Sequence, residues 1–198
     1  TVRAEIETQS DAVPMVELHY HLSKITTGDF AKVPMTLDAQ GRYSAALPPQ
    51  PHGSVVEFYV AASLEDQTRT WPASSDDSDG QNANSLYQVD DEVELSDQPY
   101  YRLIMPVGED ASFRPEAFRS GSDAQMNATF IASRGGETTI RYQTGLRRRG
   151  NGSRGRNPRS FKLNLPADQP WRSVTSFNLV SQYSFLQTLG LHLFRAAN

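Results

Sequence analysis

Apolar and polar residues alternate with a period of two through much of the first half of the chain. Val16, Leu18, Tyr20 and Leu22 are separated by Glu17, His19 and His21, which predicts a strand with one buried face. The pattern returns at Met35 and Leu37, at Tyr43, Ala45 and Leu47, and at Val56, Phe58, Val60 and Ala62. Thr27-Gly28-Asp29, Asp38-Ala39-Gln40-Gly41 and Pro48-Pro49-Gln50-Pro51-His52-Gly53 stand between these runs. Such segments turn because glycine accepts positive φ, proline fixes its own φ, and aspartate bonds to nearby backbone. Short strands at this spacing, without helical periodicity, predict an antiparallel β-sandwich that Leu86–Val89 completes.

Residues 73–85 are polar and almost free of apolar anchors, so a loop is expected there. Beyond the acidic Asp90-Asp91-Glu92 the pattern changes. Strands are expected at Tyr100–Met105, Ala128–Ala132, Thr138–Thr144 and Ser160–Leu165. A short helix fits between Gly108 and Phe118, with Pro115 in its first turn. A second helix is expected over Phe185–Ala197, capped by Ser184, with Leu186, Leu189 and Leu193 on one stripe. The expected organisation is therefore an all-β sandwich over 1–92, a linker over 93–98 and an α+β unit over 99–198.

Charge sharpens that division. Residues 1–97 carry 17 acids and 5 bases, net −12; residues 98–198 carry 6 acids and 14 bases, net +8; the sum is the chain's −4. No cysteine is present, which excludes disulfides and thiolate metal sites. No apolar run approaches the roughly 20 residues needed to span a bilayer as a helix. The sequence opens on Thr1 rather than Met, which suggests a processed or excised chain and leaves open a targeting segment outside it.

The positive charge is concentrated. Eight basic side chains lie between Arg141 and Lys162, and no acid lies between Glu137 and Asp168. At the centre stand Arg149, Gly150, Asn151, Gly152 and Ser153, leading into Ser160-Phe161-Lys162-Leu163. Guanidinium groups, bare glycine amides and a hydroxyl in one segment suit multivalent oxyanions, phosphates above all. The loop interior has no aromatic side chain for base stacking, which argues against nucleic acid as the partner.

These residues carry a resemblance. Ile140-Arg141-Tyr142, then Arg149-Gly150-Asn151-Gly152-Ser153, then Ser160-Phe161-Lys162-Leu163, then Phe177-Asn178-Leu179 and a helix ending Leu193-Phe194-Arg195, resemble the start of the CotH (spore coat protein H) kinase family of atypical protein kinases. The resemblance spans about residues 99–198. Tyr43–Pro49 and Val55–Ala62, ending at Trp71-Pro72, resemble the immunoglobulin-like or fibronectin type III-like modules of bacterial surface proteins. Together they imply an immunoglobulin-like sandwich followed by a partial kinase-like lobe, in a protein of the cell envelope or exterior.

By resemblance, the full protein would transfer phosphate from ATP to Ser or Thr hydroxyls of a protein substrate, with Mg2+ or Mn2+. Arg149, Gly150, Asn151, Gly152, Ser153 and Lys162 would face the nucleotide phosphates. The family's metal-binding and catalytic aspartates would lie beyond Asn198, so this chain alone is expected to lack turnover. Family members carry a lysine-rich run where this chain has Arg156-Asn157-Pro158-Arg159, which keeps the charge and changes the donor geometry. The alternative is a noncatalytic surface adhesion or scaffold protein whose sandwich binds a cell-surface partner and whose basic loop grips polyanions.

Other constellations carry less. His19 and His21 are two apart on one strand, a spacing metals use, but no third ligand is near in sequence, so exposed face positions are expected. Asp77-Ser78-Asp79-Gly80 matches part of a calcium loop, but Leu86 stands where an EF-hand needs its final glutamate. Nucleophile-elbow and His-Glu-x-x-His motifs do not occur.

Overall fold

A computed structural model of the chain describes residues 1–9, 11–24, 28–73, 83–90, 98–112, 124–150, 159–181 and 183–196. Among these the chain forms β1 (Val2–Glu5), β2 (Met15–Leu22), β3 (Ala31–Pro34), β4 (Thr36–Leu37), β5 (Arg42–Ala45), β6 (Val55–Leu64), β7 (Gln67–Trp71), β8 (Ser85–Gln88), β9 (Tyr100–Ile104), α1 (Val107–Ser112), β10 (Met126–Arg134), β11 (Glu137–Arg148), β12 (Phe161–Asn164), β13 (Ser176–Leu179) and α2 (Ser184–Ala196). Strands predominate, and every strand pair with a defined register is antiparallel.

Two compact units divide the chain and are not consecutive in sequence. The first comprises Thr1–Gly108 and Asn127–Gln143; the second comprises Glu109–Met126 and Thr144–Asn198. Of the expected linker over 93–98 only Gln98 is among the described residues. β9, nearly all of β10 and the first part of β11, expected from the sequence in the second domain, group with the first unit.

In the first unit, β1–β5–β4 form one sheet and β3–β2–β6–β7 a second, with β8 also paired to β6. The period-two pattern is realised along β2 and β6. Leu18 pairs with Val60 and Tyr20 with Phe58, so the apolar face of each strand meets that of its neighbour. Val16, Leu18, Met35, Tyr43, Ala45, Phe58 and Val60 form one buried cluster drawn from both sheets, with Val2, Ala4, Ile6 and Tyr142 packed against it. Burying such side chains contributes about 1.5–3 kcal/mol each for the larger ones. Tyr43 also donates its hydroxyl to the Pro14 carbonyl at 3.2 Å, which satisfies the one polar atom of its buried ring.

The β4–β5 turn follows its sequence signal. Asp38 Oδ1 accepts the backbone N–H of Gln40 and of Arg42, each at 2.9 Å, and Oδ2 accepts Arg42 Nε at 3.2 Å. These bonds, the Arg42 amide first, hold the Asp38 carboxyl below its usual pKa.

Ring contacts account for the grouping of the later strands with the first unit. Tyr142 meets Phe58 edge-on at 5.7 Å and Trp71 edge-on at 6.0 Å. Burial raises the pKa of its hydroxyl. Asn127 donates its amide to the Asn84 carbonyl at 2.7 Å, and Arg102 pairs with Asp90. The β10–β11 connection is Gly135-Gly136, with φ of 58° and 81°, the double positive φ that a tight two-residue hairpin turn demands.

The second unit holds the end of β11 with β12, β13 and α2. Leu146, Leu163 and Leu165 are its buried apolar residues. α1 spans Val107–Ser112; Pro115, expected in that helix, lies outside the described residues. α2 starts at Ser184, whose carbonyl accepts Thr188 Oγ1 at 3.0 Å. Its expected stripe of Leu186, Leu189 and Leu193 is exposed, as are Phe185, Leu191 and Phe194.

Candidate oxyanion site on a basic hairpin

The densest positive charge lies at the end of β11 and the start of β12. The two strands pair antiparallel, Gly145 with Asn164, Leu146 with Leu163, Arg147 with Lys162 and Arg148 with Phe161. Arg149 N–H then donates to the Ser160 carbonyl at 2.9 Å, one rung further. β12 pairs in turn with β13, Lys162 opposite Asn178 and Leu163 opposite Phe177.

Alternation sorts these residues between two faces. Leu146, Leu163 and Arg148 are buried on one face, Arg148 being 1% exposed. Arg147, Lys162 and Asn178 share the other, at the same level on three adjacent strands. Both basic side chains there are half-buried. Like charges directly opposite in a sheet disfavour the pairing by about 0.2–1 kcal/mol. A doubly charged oxyanion lying across Arg147 and Lys162 would attract both cations at once. No acid occurs in the sequence between Glu137 and Asp168.

Of the six residues expected to face phosphate, Arg149, Gly150 and Lys162 are described; Lys162 lies on β12, and Arg149 follows the end of β11, its amide bonded to the Ser160 carbonyl. Gly150 has φ 106°, a conformation that a residue with a side chain rarely adopts, so its amide direction depends on glycine. Asn151, Gly152 and Ser153 lie outside the described residues. Sequence reasoning passed over Arg147 as a site residue because its place beside Lys162 follows from the strand register, which no local motif encodes. Ser160 and Ser181 were missed too: Ser181 N–H donates to Ser160 Oγ at 3.2 Å, and the Ser181 hydroxyl donates to the Arg159 carbonyl.

A polar brace supports the same face one level down. Asn164 donates its amide to Gln125 Oε1 at 2.8 Å and accepts the Ser176 hydroxyl at 2.8 Å. Gly145, opposite Asn164, leaves the space this brace uses. A Cβ at that position would stand 2.0 Å from Gln125 Oε1.

The histidine pair differs from its expectation. His19 and His21 are not exposed. His19 stacks on Tyr59 at 4.5 Å and is 7% exposed, and His21 stacks on Phe30 at 4.1 Å. The aromatic residues on β6 and before β3 cover them, a packing that alternation alone does not show. His19 Nε2 lies 3.4 Å from Glu17 Oε2, and His21 Nε2 lies 3.6 Å from Glu57 Oε2. Burial, then Lys32, lowers the His19 pKa, with Glu17 opposing. Among the described residues no group of three His, Cys, Asp or Glu side chains could hold a metal ion. Asp77 and Asp79 of the calcium-like segment lie outside the described residues. Among the described residues, no helix is long and apolar enough to cross a membrane.

No protein-family model, no curated protein and no solved structure matches this chain.

Proposed function

We propose that the β11–β12 hairpin is a nucleotide-phosphate site, and that the chain is part of a secreted CotH-like atypical protein kinase in which an immunoglobulin-like sandwich precedes a kinase-like lobe. The observation that carries this reading is the Arg147–Lys162 cross-strand pair, flanked by Arg149 and Gly150. Two cations held on adjacent strands, beside a glycine amide, can contact different oxygens of a polyphosphate at once. Asn178 adds a neutral donor on the same face.

The residues fit the phosphates of ATP better than they fit its metal. Lys162 and Arg147 would hold the phosphates, with Arg149 and the Gly150 amide as further donors. The described residues bring no carboxylate cluster for Mg2+ or Mn2+. The proposal therefore assigns this chain phosphate contacts and derives no transfer step from it.

Calorimetric titration with ATP, repeated with adenosine, inorganic tripolyphosphate and heparin, tests the reading. Binding of ATP that exceeds both adenosine and tripolyphosphate supports a nucleotide site. Heparin binding without measurable ATP binding overturns it in favour of a polyanion-gripping scaffold.

A further inference from the structure

We propose that β1 is a self-complementary edge through which two copies of this chain pair, antiparallel, about a two-fold axis at Ala4. Among the described residues β1 is an edge strand of the β1–β5–β4 sheet and pairs only with β5. Its open side presents backbone N–H and C=O groups in a row, the arrangement that recruits another strand. Val2, Ala4 and Ile6 turn inward and pack on the core cluster, while Arg3, Glu5 and Glu7 are exposed on the outer face. This edge borders a mainly apolar groove of about 400 Å3, lined by Val2, Ile6 and Trp71 and also by the charged Arg3, Glu5 and Arg69.

Charged residues on an edge strand usually keep other strands away. Here their order does the reverse for one register. Centred on Ala4, an antiparallel copy sets Arg3 against Glu5 of the second copy, and Glu5 against Arg3. Val2 then meets Ile6 of the second copy on the inner face, beside the groove. Opposite charges across a strand pair are favourable, and like charges directly opposite are not. Moving the axis to Arg3 opposes two arginines; moving it to Glu5 opposes two glutamates at the centre while setting Arg3 against Glu7, whereas the Ala4-centred register has opposite pairs and no like pair. A parallel in-register pairing opposes every charge to its own kind. A slip by one residue turns the apolar face outward. The sequence therefore selects the Ala4-centred register, and an isologous contact of this kind closes as a dimer.

The test uses the full 198-residue chain. Sedimentation equilibrium across micromolar to millimolar concentrations is expected to show a monomer–dimer equilibrium that weakens with added salt. Arg3→Glu and Glu5→Arg each replace both attractive pairs with repulsive ones and are expected to raise the dimer Kd by at least about tenfold. The double exchange Arg3→Glu/Glu5→Arg restores attraction and is expected to return most of the affinity. Both positions are exposed, so circular dichroism should be unchanged. The absence of cysteine permits a second measurement. Paired residues across antiparallel strands have Cα atoms about 4.5–5.5 Å apart, within disulfide range. Ala4→Cys should oxidise to a covalent dimer, whereas Val2→Cys should do so only when mixed with Ile6→Cys. A chain that stays monomeric throughout overturns the proposal. So do single charge reversals that leave Kd unchanged, a double exchange no better than either single, or Val2→Cys alone crosslinking as readily as Ala4→Cys.

Discussion

Tyr142 is the residue on which the membership of the first part of β11 in the first unit turns most directly. Its ring is half-buried against the core cluster and meets Phe58 and Trp71 edge-on. Complete burial makes an aromatic-to-alanine change cost about 3–5 kcal/mol, and partial burial brings Tyr142→Ala to roughly 2–3 kcal/mol. Within that loss each edge-to-face pair accounts for about 0.5–1.5 kcal/mol beyond the buried area. A cycle of Tyr142→Leu and Phe58→Leu isolates one pair while keeping apolar volume, with an expected coupling of about 0.5–1.5 kcal/mol. The two tryptophans report separately, because Trp71 belongs to the first unit and Trp171 to the second. Guanidinium unfolding followed by fluorescence in a Trp171→Phe background reads the first unit; a Trp71→Phe background reads the second. Tyr142→Ala is expected to lower the Trp71-reported midpoint more than the Trp171-reported one. Additivity of the cycle to within about 0.3 kcal/mol, or a loss confined to the Trp171 signal, refutes the assignment.

The His19 environment predicts acid sensitivity. Its folded pKa lies below the ordinary 6.5, so its share of stability is fully present above that pH. That share is lost as pH falls through the window below 6.5, where the unfolded chain takes up the proton first, with a slope no steeper than about 1.4 kcal/mol per pH unit. His19→Gln should flatten the fall in urea-unfolding free energy between neutral pH and that window; an unchanged pH profile contradicts the burial argument. At Gly145, substitution by Ala should displace the Gln125 side chain and sever its bond to Asn164. The expected loss is about 0.5–1.5 kcal/mol, less whatever the reduced freedom of the unfolded chain returns. Gln125→Ala should then cost little more in the Gly145→Ala background, and full additivity of the two changes argues against the brace.

The strands with strong alternation were legible because one residue pattern determined both conformation and burial. Val16, Leu18, Phe58 and Val60 are core residues on strands expected from their periodicity. The Asp38 turn had local chemistry sufficient to specify it. β1 was passed over although Val2, Ala4 and Ile6 alternate, because four residues with one small apolar side chain give a weak signal against a polar surrounding. The grouping of the first part of β11 with the first unit involves Tyr142 reaching Phe58 and Trp71, contacts far apart in sequence with no mark in local periodicity. The same holds for His19 and His21, which alternation places on a face without revealing the rings that cover them. At the hairpin, composition located the charge, but only the register set Arg147 beside Lys162.

The central claim is that this cross-strand pair binds nucleotide phosphate, and Lys162 is its most direct probe. The decisive measurement is the ATP dissociation constant of the wild-type chain, Lys162→Ala, Arg147→Ala and the double variant, by calorimetry at fixed ionic strength. A hydrogen bond to a charged group contributes about 1.5–3 kcal/mol, so each single substitution is expected to weaken binding by roughly 10- to 150-fold. The double variant should show non-additivity, since both cations serve one polyphosphate. Wild-type affinity for ATP retained by Lys162→Ala and Arg147→Ala, with their fold intact by circular dichroism, would contradict the account.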